Sequence, residues 1–219
     1  MKILNRIVKW AGSGLEYEAD PGQIEHMIVD LGLEGAKTVG TAGDKIDAAK
    51  IMADQPLGWE THTLYRAFTA RGNYVAADTP DAQLASKELY RWMVGRTELG
   101  LQGLKRLRRY LEGHRPLIFE YRFRCAERVE VYSDTDCAGC IKTCKSTSGG
   151  CLMLGGHLLK SWSSTKAMVS LSLGEAEFDG VTKAAGIGLG YQALLRDLGI
   201  TIGIRVWMDS SATIGICGR

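Results

Sequence analysis

Hydrophobic and polar positions alternate with two different periods along this chain, and the changes of period outline its elements. At the start, ILNRIV is rich in apolar residues and Gly12, Ser13 and Gly14 supply a turn. Leu15, Tyr17 and Ala19 then alternate with Glu16, Glu18 and Asp20, so residues 1–20 predict a β-hairpin. A helix start follows at once: Asp20 can cap it, Pro21 suits the first helical position, and Gln23 completes a capping-box pattern. Ile24, Met27, Ile28 and Leu31 form its apolar face, and Gly32 is the expected stop. Residues 34–60 lack a steady period and read as loop, with one short helix over 45–52.

Three helical segments come next. The second starts at Thr79 and Pro80 and puts Ala82, Ala85, Leu89, Trp92 and Met93 on one face. The third runs from a Thr97 cap through Leu101, Leu104, Leu107 and Leu111 to Gly113. After about residue 125 the period returns to two. RVEVYSD, GCLMLGG and LLKSWSS read as strands, a long helical pattern begins near Ser172, and IRVWMD reads as a last strand. A helix between strands can serve as the crossover that makes the last strand parallel to a neighbour. The domain boundary is therefore expected near residue 125.

Composition narrows the function classes. Hydrophobic residues make up 45% and charged residues 24% of the 219 positions, the balance of a globular protein rather than of a disordered or membrane one. The 27 Lys and Arg nearly match the 25 Asp and Glu, so any attraction for nucleic acid must be local. No stretch has the length of apolar residues a membrane span needs, and the basic N-terminus lacks a signal-peptide core, so a soluble, intracellular chain with no membrane partner is expected. The six cysteines, five of them between Cys125 and Cys151, are too clustered for a secreted disulfide framework, and reduced thiols are expected.

Three acids stand out. Alternation in RVEVYSD places Glu130, Tyr132 and Asp134 opposite Val129, Val131 and Ser133, with Asp134 at the strand's C-terminal end, and Asp209 ends IRVWMD in the same way. If those strands are parallel neighbours, both acids lie at the sheet edge where open α/β sheets bind ligands. Ser172 and Glu175 match a capping box, which gives Glu175 a structural task. Glu177 instead begins the apolar row Val181, Ala184, Gly188, Tyr191, Leu195 and Leu198, and an acid there is costly unless paired or bound to metal. Asp134, Glu177 and Asp209 together offer an all-oxygen site suited to Mg²⁺ or Mn²⁺. Taken singly, each is as readily an exposed strand end or helix cap.

Other signals carry two readings each. Residues 104–124 hold Lys105, Arg106, Arg108, Arg109, Arg115, Arg122 and Arg124, and the helical part puts Lys105, Arg108 and Arg109 on one side, suited either to phosphate contacts or to a solvated face. Lys145, Ser146 and Thr147 could bind phosphate oxygens, or simply form a turn. Cys137, Cys140, Cys144 and Cys151, with His157 beyond, read either as a zinc knuckle or as small buried thiols. Trp162 reads as core.

Several motifs in order resemble the ribonuclease H domain at the end of copia-type LTR retrotransposon Pol polyproteins. That family's Y-S-D-x-D-W-A-G, K-S-T-S-G, W-S-S and E-A-E runs match residues 132–139, 145–149, 162–164 and 175–177, and its D-x-x-S-A run is matched one position shorter by residues 209–212. The resemblance implies an α/β fold, a ribonuclease H-like mixed sheet with flanking helices over 125–219. Over 1–124 the hairpin, helix and LKRLRRYLEGH segment resemble the reverse-transcriptase palm edge, thumb and connection, a mostly helical region. It further implies that Asp134, Glu177 and Asp209 bind two Mg²⁺ or Mn²⁺ ions and hydrolyse the RNA strand of RNA/DNA hybrids, Asp134 bridging the ions. The implied partners are the hybrid, bound in part by Lys105, Arg108, Arg109, Lys145, Ser146 and Thr147, and the rest of the polyprotein, polymerase and integrase. The implied location of the intact element is a cytoplasmic virus-like particle or the nucleus.

The departures matter as well. The polymerase's Y-x-D-D pair has no counterpart here, so no polymerisation is expected. Cys137 stands where the family has Trp, and Leu173 and Gly174 interrupt its S-S-x-E-A-E pattern. The family's fourth acid falls beyond Arg219, so weak or lost activity is expected of a domain truncated at its C-terminus, with a non-catalytic hybrid-binding remnant as the alternative.

Overall fold

The computed structural model describes residues 1–30, 35–44, 46–114, 117–140 and 143–218. The chain divides into two compact units, Met1–Phe123 and Arg124–Arg219. It is mixed α/β, with one four-stranded sheet in each unit.

In the first unit, β1 (Lys2–Ile3), β2 (Arg6–Ala11) and β3 (Gly14–Glu18) are antiparallel neighbours. Ala11 pairs with Gly14, so Gly12 and Ser13 make the expected turn. ILNRIV is not one strand, however. Leu4 and Asn5 both adopt positive φ, and this second tight turn folds Lys2 and Ile3 back on Ile7 and Arg6. Asp20 accepts from the Gly22 amide at 3.0 Å and starts α1 (Pro21–Asp30), which buries Ile24 and Met27. The expected stop at Gly32 lies outside the described residues, as does Lys45. The short helix α2 (Ala48–Met52) begins three residues later than expected, where the Asp47 side chain caps it.

Helices α3 (Trp59–Ala76), α4 (Gln83–Arg91, after a 3-10 turn Pro80–Ala82) and α5 (Glu98–Gly113) enclose the core of this unit. Tyr65, Leu104 and Leu107 are at most 1% exposed, and Ala82 and Leu89 are buried with Trp92 and Met93 packed beside them, the face the spacing picked out. Thr97 caps α5 through the Gly100 amide. A strand the periodicity missed, β4 (Ile118–Arg122), completes the sheet in the order β1-β2-β3-β4. Asp78, just after α3, ties helix to sheet by accepting from Arg6 at 2.8 Å and from Tyr17 at 2.6 Å.

In the second unit β5 (Arg128–Thr135), β6 (Thr147–Leu154) and β7 (His157–Thr165) form an antiparallel meander. The 25-residue α6 (Leu173–Asp197) crosses over to β8 (Gly203–Trp207), which lies parallel to β5 with Val131 opposite Val206. The sheet order is β7-β6-β5-β8, and a short α7 (Ser211–Cys217), absent from the expected elements, follows. Val129, Val131, Leu152 and Ala184 are fully buried between sheet and helix. Leu198, expected on the same apolar row, is 69% exposed because it is the C-cap residue of α6.

Glycines set how closely these layers approach. A Cβ on Gly180 would run into the Thr135 hydroxyl, and one on Gly150 would strike the Trp162 ring and the Tyr132 carbonyl. Trp162 is therefore a half-buried lid on Gly150 at the margin of the core. Gly150→Ala should destabilise the chain by about 1–3 kcal/mol, the usual penalty of overpacking, read as a lower midpoint in urea.

Candidate functional site

Asp134 is the next-to-last residue of β5, Asp209 stands two residues beyond β8, and Glu177 occupies the first turns of α6. Each is placed by a different element. The parallel β5–β8 ladder brings the two strand ends side by side, and the Ser172 cap fixes where α6 begins. Ser172 accepts from the Glu175 amide at 3.1 Å while the Glu175 carboxylate accepts from the Leu171 amide at 2.6 Å, so Glu175 is the capping acid and is exposed. Glu177 is 8% exposed.

Ser133 and Thr135 face α6 near Gly180, so strand alternation puts Asp134 on the other side of β5. Its carboxylate nevertheless joins those of Glu177 and Asp209, with one oxygen from each residue within 4.8 Å of the others. The cluster thus sits off the end of the sheet rather than on either face. At that separation each pair of negative charges repels by roughly 3 kcal/mol at an effective dielectric near 20. Burial raises the Glu177 pKa above the ordinary carboxylate value, and Asp134 and Asp209 raise it further. Lys166 works in the opposite direction. Its ammonium, 9% exposed, donates to the Ala176 carbonyl and meets Asp179 at 3.4 Å. Lys166 is a member of this site that the periodicity argument overlooked, because it lies in the loop just after β7, where no period applies.

The donor set is oxygen only, three carboxylates with one lysine to offset them, and such a set suits a hard divalent cation. It is the only cluster of three potential ligands among the described residues. The cysteines do not join it. Cys137 and Cys144 are exposed and Cys140 and Cys151 half-buried, so the expectation of small buried thiols is corrected: the loop after β5 turns outward, with Ala138 and Cys144 at positive φ.

The expected phosphate-contacting residues are scattered in role. Arg108 is fully buried and pairs with Glu112 at 3.3 Å across one helical turn, so it faces the core of the first unit and not a nucleic acid. Arg109 donates to the Lys37 carbonyl at 2.5 Å, and neighbouring Arg106 to Gly43 and Thr41, so these two hold the 37–44 loop against α5. Lys105 alone of the three is exposed. Ser146 is 1% exposed and accepts from the Ala138 amide at 3.1 Å, while the Thr147 carbonyl and amide both bond Asp136. Lys145 is half-buried, its carbonyl taken by Cys140. The Ser146 hydroxyl and the Thr147 backbone are thus bonded within the loop that leads into β6.

Comparison with known proteins now adds to this geometry. Over 141 residues, 64% of the chain, the sequence is 35% identical to the retrovirus-related Pol polyprotein from transposon RE1 of Arabidopsis thaliana. It is 33% identical to the corresponding polyprotein from transposon RE2 over the same length. Its homologues include transposon Pol polyproteins. The chain spans about a tenth of the length of these curated relatives. No protein-family model matches it, and no solved structure does. No helix among the described residues is long and apolar enough to cross a membrane.

The raised Glu177 pKa has a sign that can be checked. The folded state holds this proton more tightly than the unfolded one, so stability falls as pH rises through the carboxylate range, from about 4 upward. Glu177→Gln removes that loss. Without divalent metal its Tm should exceed the wild-type Tm at neutral pH, and the difference should vanish at about pH 3.5, measured by thermal denaturation across pH.

Proposed function

We propose that the chain is a segment of a retrotransposon Pol polyprotein and that residues 124–219 are a ribonuclease H-type nuclease acting on the RNA strand of RNA/DNA hybrids. The convergence of Asp134, Glu177 and Asp209 at the sheet end carries this reading, since three unneutralised carboxylates so close together are a liability without a cation. Two further observations support it. The meander, crossover helix and parallel strand form the mixed sheet that the motif resemblance implies, and homologues at 33–35% identity are transposon Pol polyproteins.

Asp134, Glu177 and Asp209 would hold Mg²⁺ or Mn²⁺, ions that lower the pKa of bound water and stabilise charge on phosphodiester oxygens. The protein's own part is to fix the ligands. Glu177 is held by burial at a capped helix start, and Asp134 by a strand paired on both sides. Asp209 is held in front of the Ser210 cap of α7, whose hydroxyl accepts from the Thr213 amide at 3.3 Å. Lys166 anchors the first turns of α6 and limits the repulsion that Glu177 feels before metal enters.

Cleavage of a labelled RNA strand in a hybrid should depend on Mg²⁺ or Mn²⁺. Because metal stabilisation of such a transition state is worth several kcal/mol, Asp209→Asn should slow it by at least about 100-fold. Metal-independent cutting contradicts the assignment, and a folded wild-type chain that never cuts overturns the activity in favour of the non-catalytic hybrid-binding remnant. In the absence of nucleic acid, Mg²⁺ at about 100 times its dissociation constant should stabilise the wild-type chain by roughly 2.7 kcal/mol, and Asp134→Asn should abolish that stabilisation.

A further inference from the structure

The edge strand β7 carries a feature that the acid cluster does not use. Its register sets Lys160 opposite Leu152, Trp162 opposite Gly150 and Ser164 opposite Ser148, so Lys160, Trp162 and Ser164 share the sheet face that α6 covers. From α6, Lys183 reaches down to this row and donates to the Ser164 hydroxyl. Burial lowers the Lys183 pKa, and the charge of Lys160 lowers it further. Both lysines are exposed, and among the described residues neither ammonium meets a carboxylate. This contrasts with Lys166, two residues beyond Ser164, which is matched to Asp179.

Two like charges drawn together with a hydroxyl between strand and helix, and no acid to neutralise them, repel each other unless an anion lies against them. Their place selects the anion. Lys183 follows Glu177 by six residues on α6, about 9 Å along the helix axis. That is the rise of roughly two to three nucleotides at 3.4 Å each along one strand. On the ribonuclease H-type reading, a strand seated on the acid cluster would reach the pair if it runs along α6.

We propose that Lys160 and Lys183, the latter held by the Ser164 hydroxyl, form a subsite for a backbone phosphate of the bound nucleic acid, two to three nucleotides from the acid cluster. This rests on the ribonuclease H-type reading above. The subsite would set register along the strand without reading bases, since phosphate contacts position and do not specify.

The test is hybrid binding by the full chain, read as fluorescence anisotropy of a labelled RNA/DNA duplex over a range of salt without divalent metal. Cleavage is then measured with Mg²⁺. Lys160→Gln/Lys183→Gln should flatten the slope of log K against log salt by about one, the loss of one phosphate contact, and weaken binding at every salt. Lys160→Arg/Lys183→Arg should restore the wild-type slope, and Lys50→Gln, an exposed lysine of the first unit, should leave it unchanged. An unchanged slope in the double Gln variant of a chain that cleaves hybrid overturns the subsite and leaves the nuclease reading intact. An equal loss in Lys50→Gln overturns it too, as a mere net-charge effect. A lysine-dependent slope in a chain that never cleaves upholds the subsite and overturns the nuclease reading. Failure of the wild-type chain to bind hybrid overturns both.

Discussion

Parallel pairing of β5 with β8 across the α6 crossover is the constraint on which the second unit depends, because it forces like charges together. Hydrogen bonds from Arg128 to Tyr132 against Gly203 to Trp207 bring the two strand ends alongside one another, and Asp134 and Asp209 come with them. The apolar contacts beneath are what make this tolerable. Val129, Val131, Leu152 and Ala184 are withdrawn from water completely, and this apolar burial opposes the carboxylate repulsion at the rim. The core holds the acids in a conformation they would not choose for themselves.

Close approach of helix and sheet supplies the precision. Gly180 and Gly188 let α6 rest on Thr135 and Val131 without a side chain between, so the helix start and Glu177 are set by backbone contact. Ser172 and Lys166 fix the same end from outside, one through the Glu175 amide and the other through the Ala176 carbonyl. A carboxylate placed in this way reorganises little when a cation binds. On the proposed reading, that preorganisation would link a glycine pattern in the sequence to cation binding at the sheet end.

Much of this was legible beforehand, and the exceptions have common causes. Asp134, Glu177 and Asp209 could be picked out because strand and helix periods place residues on faces and at ends, and the structure does bring those three together. The Thr97, Asp20 and Ser172 caps were readable for the same local reason. What failed was anything set by tertiary partners. Arg108 has the charge of a surface residue, yet its pairing with Glu112 lets it enter the core, and Arg106 and Arg109 are taken by a loop some 60 to 70 residues away in sequence. The Ser146 hydroxyl takes the Ala138 amide and the Thr147 amide donates to Asp136, and Leu4 and Asn5 break a run that hydrophobicity alone makes continuous. The β7 lysines became visible only through the register that sets Lys160 and Ser164 on one face.

On the proposed reading, the three carboxylates are held together to bind cations. Crystals grown with Mn²⁺ and measured for anomalous scattering test it directly. One or more strong peaks are expected within about 2.0–2.3 Å of oxygens from Asp134, Glu177 and Asp209, with Glu177 in the position that Ser172 and Lys166 impose. Density showing the three carboxylates splayed apart into solvent, with no peak between them at saturating Mn²⁺, would contradict it.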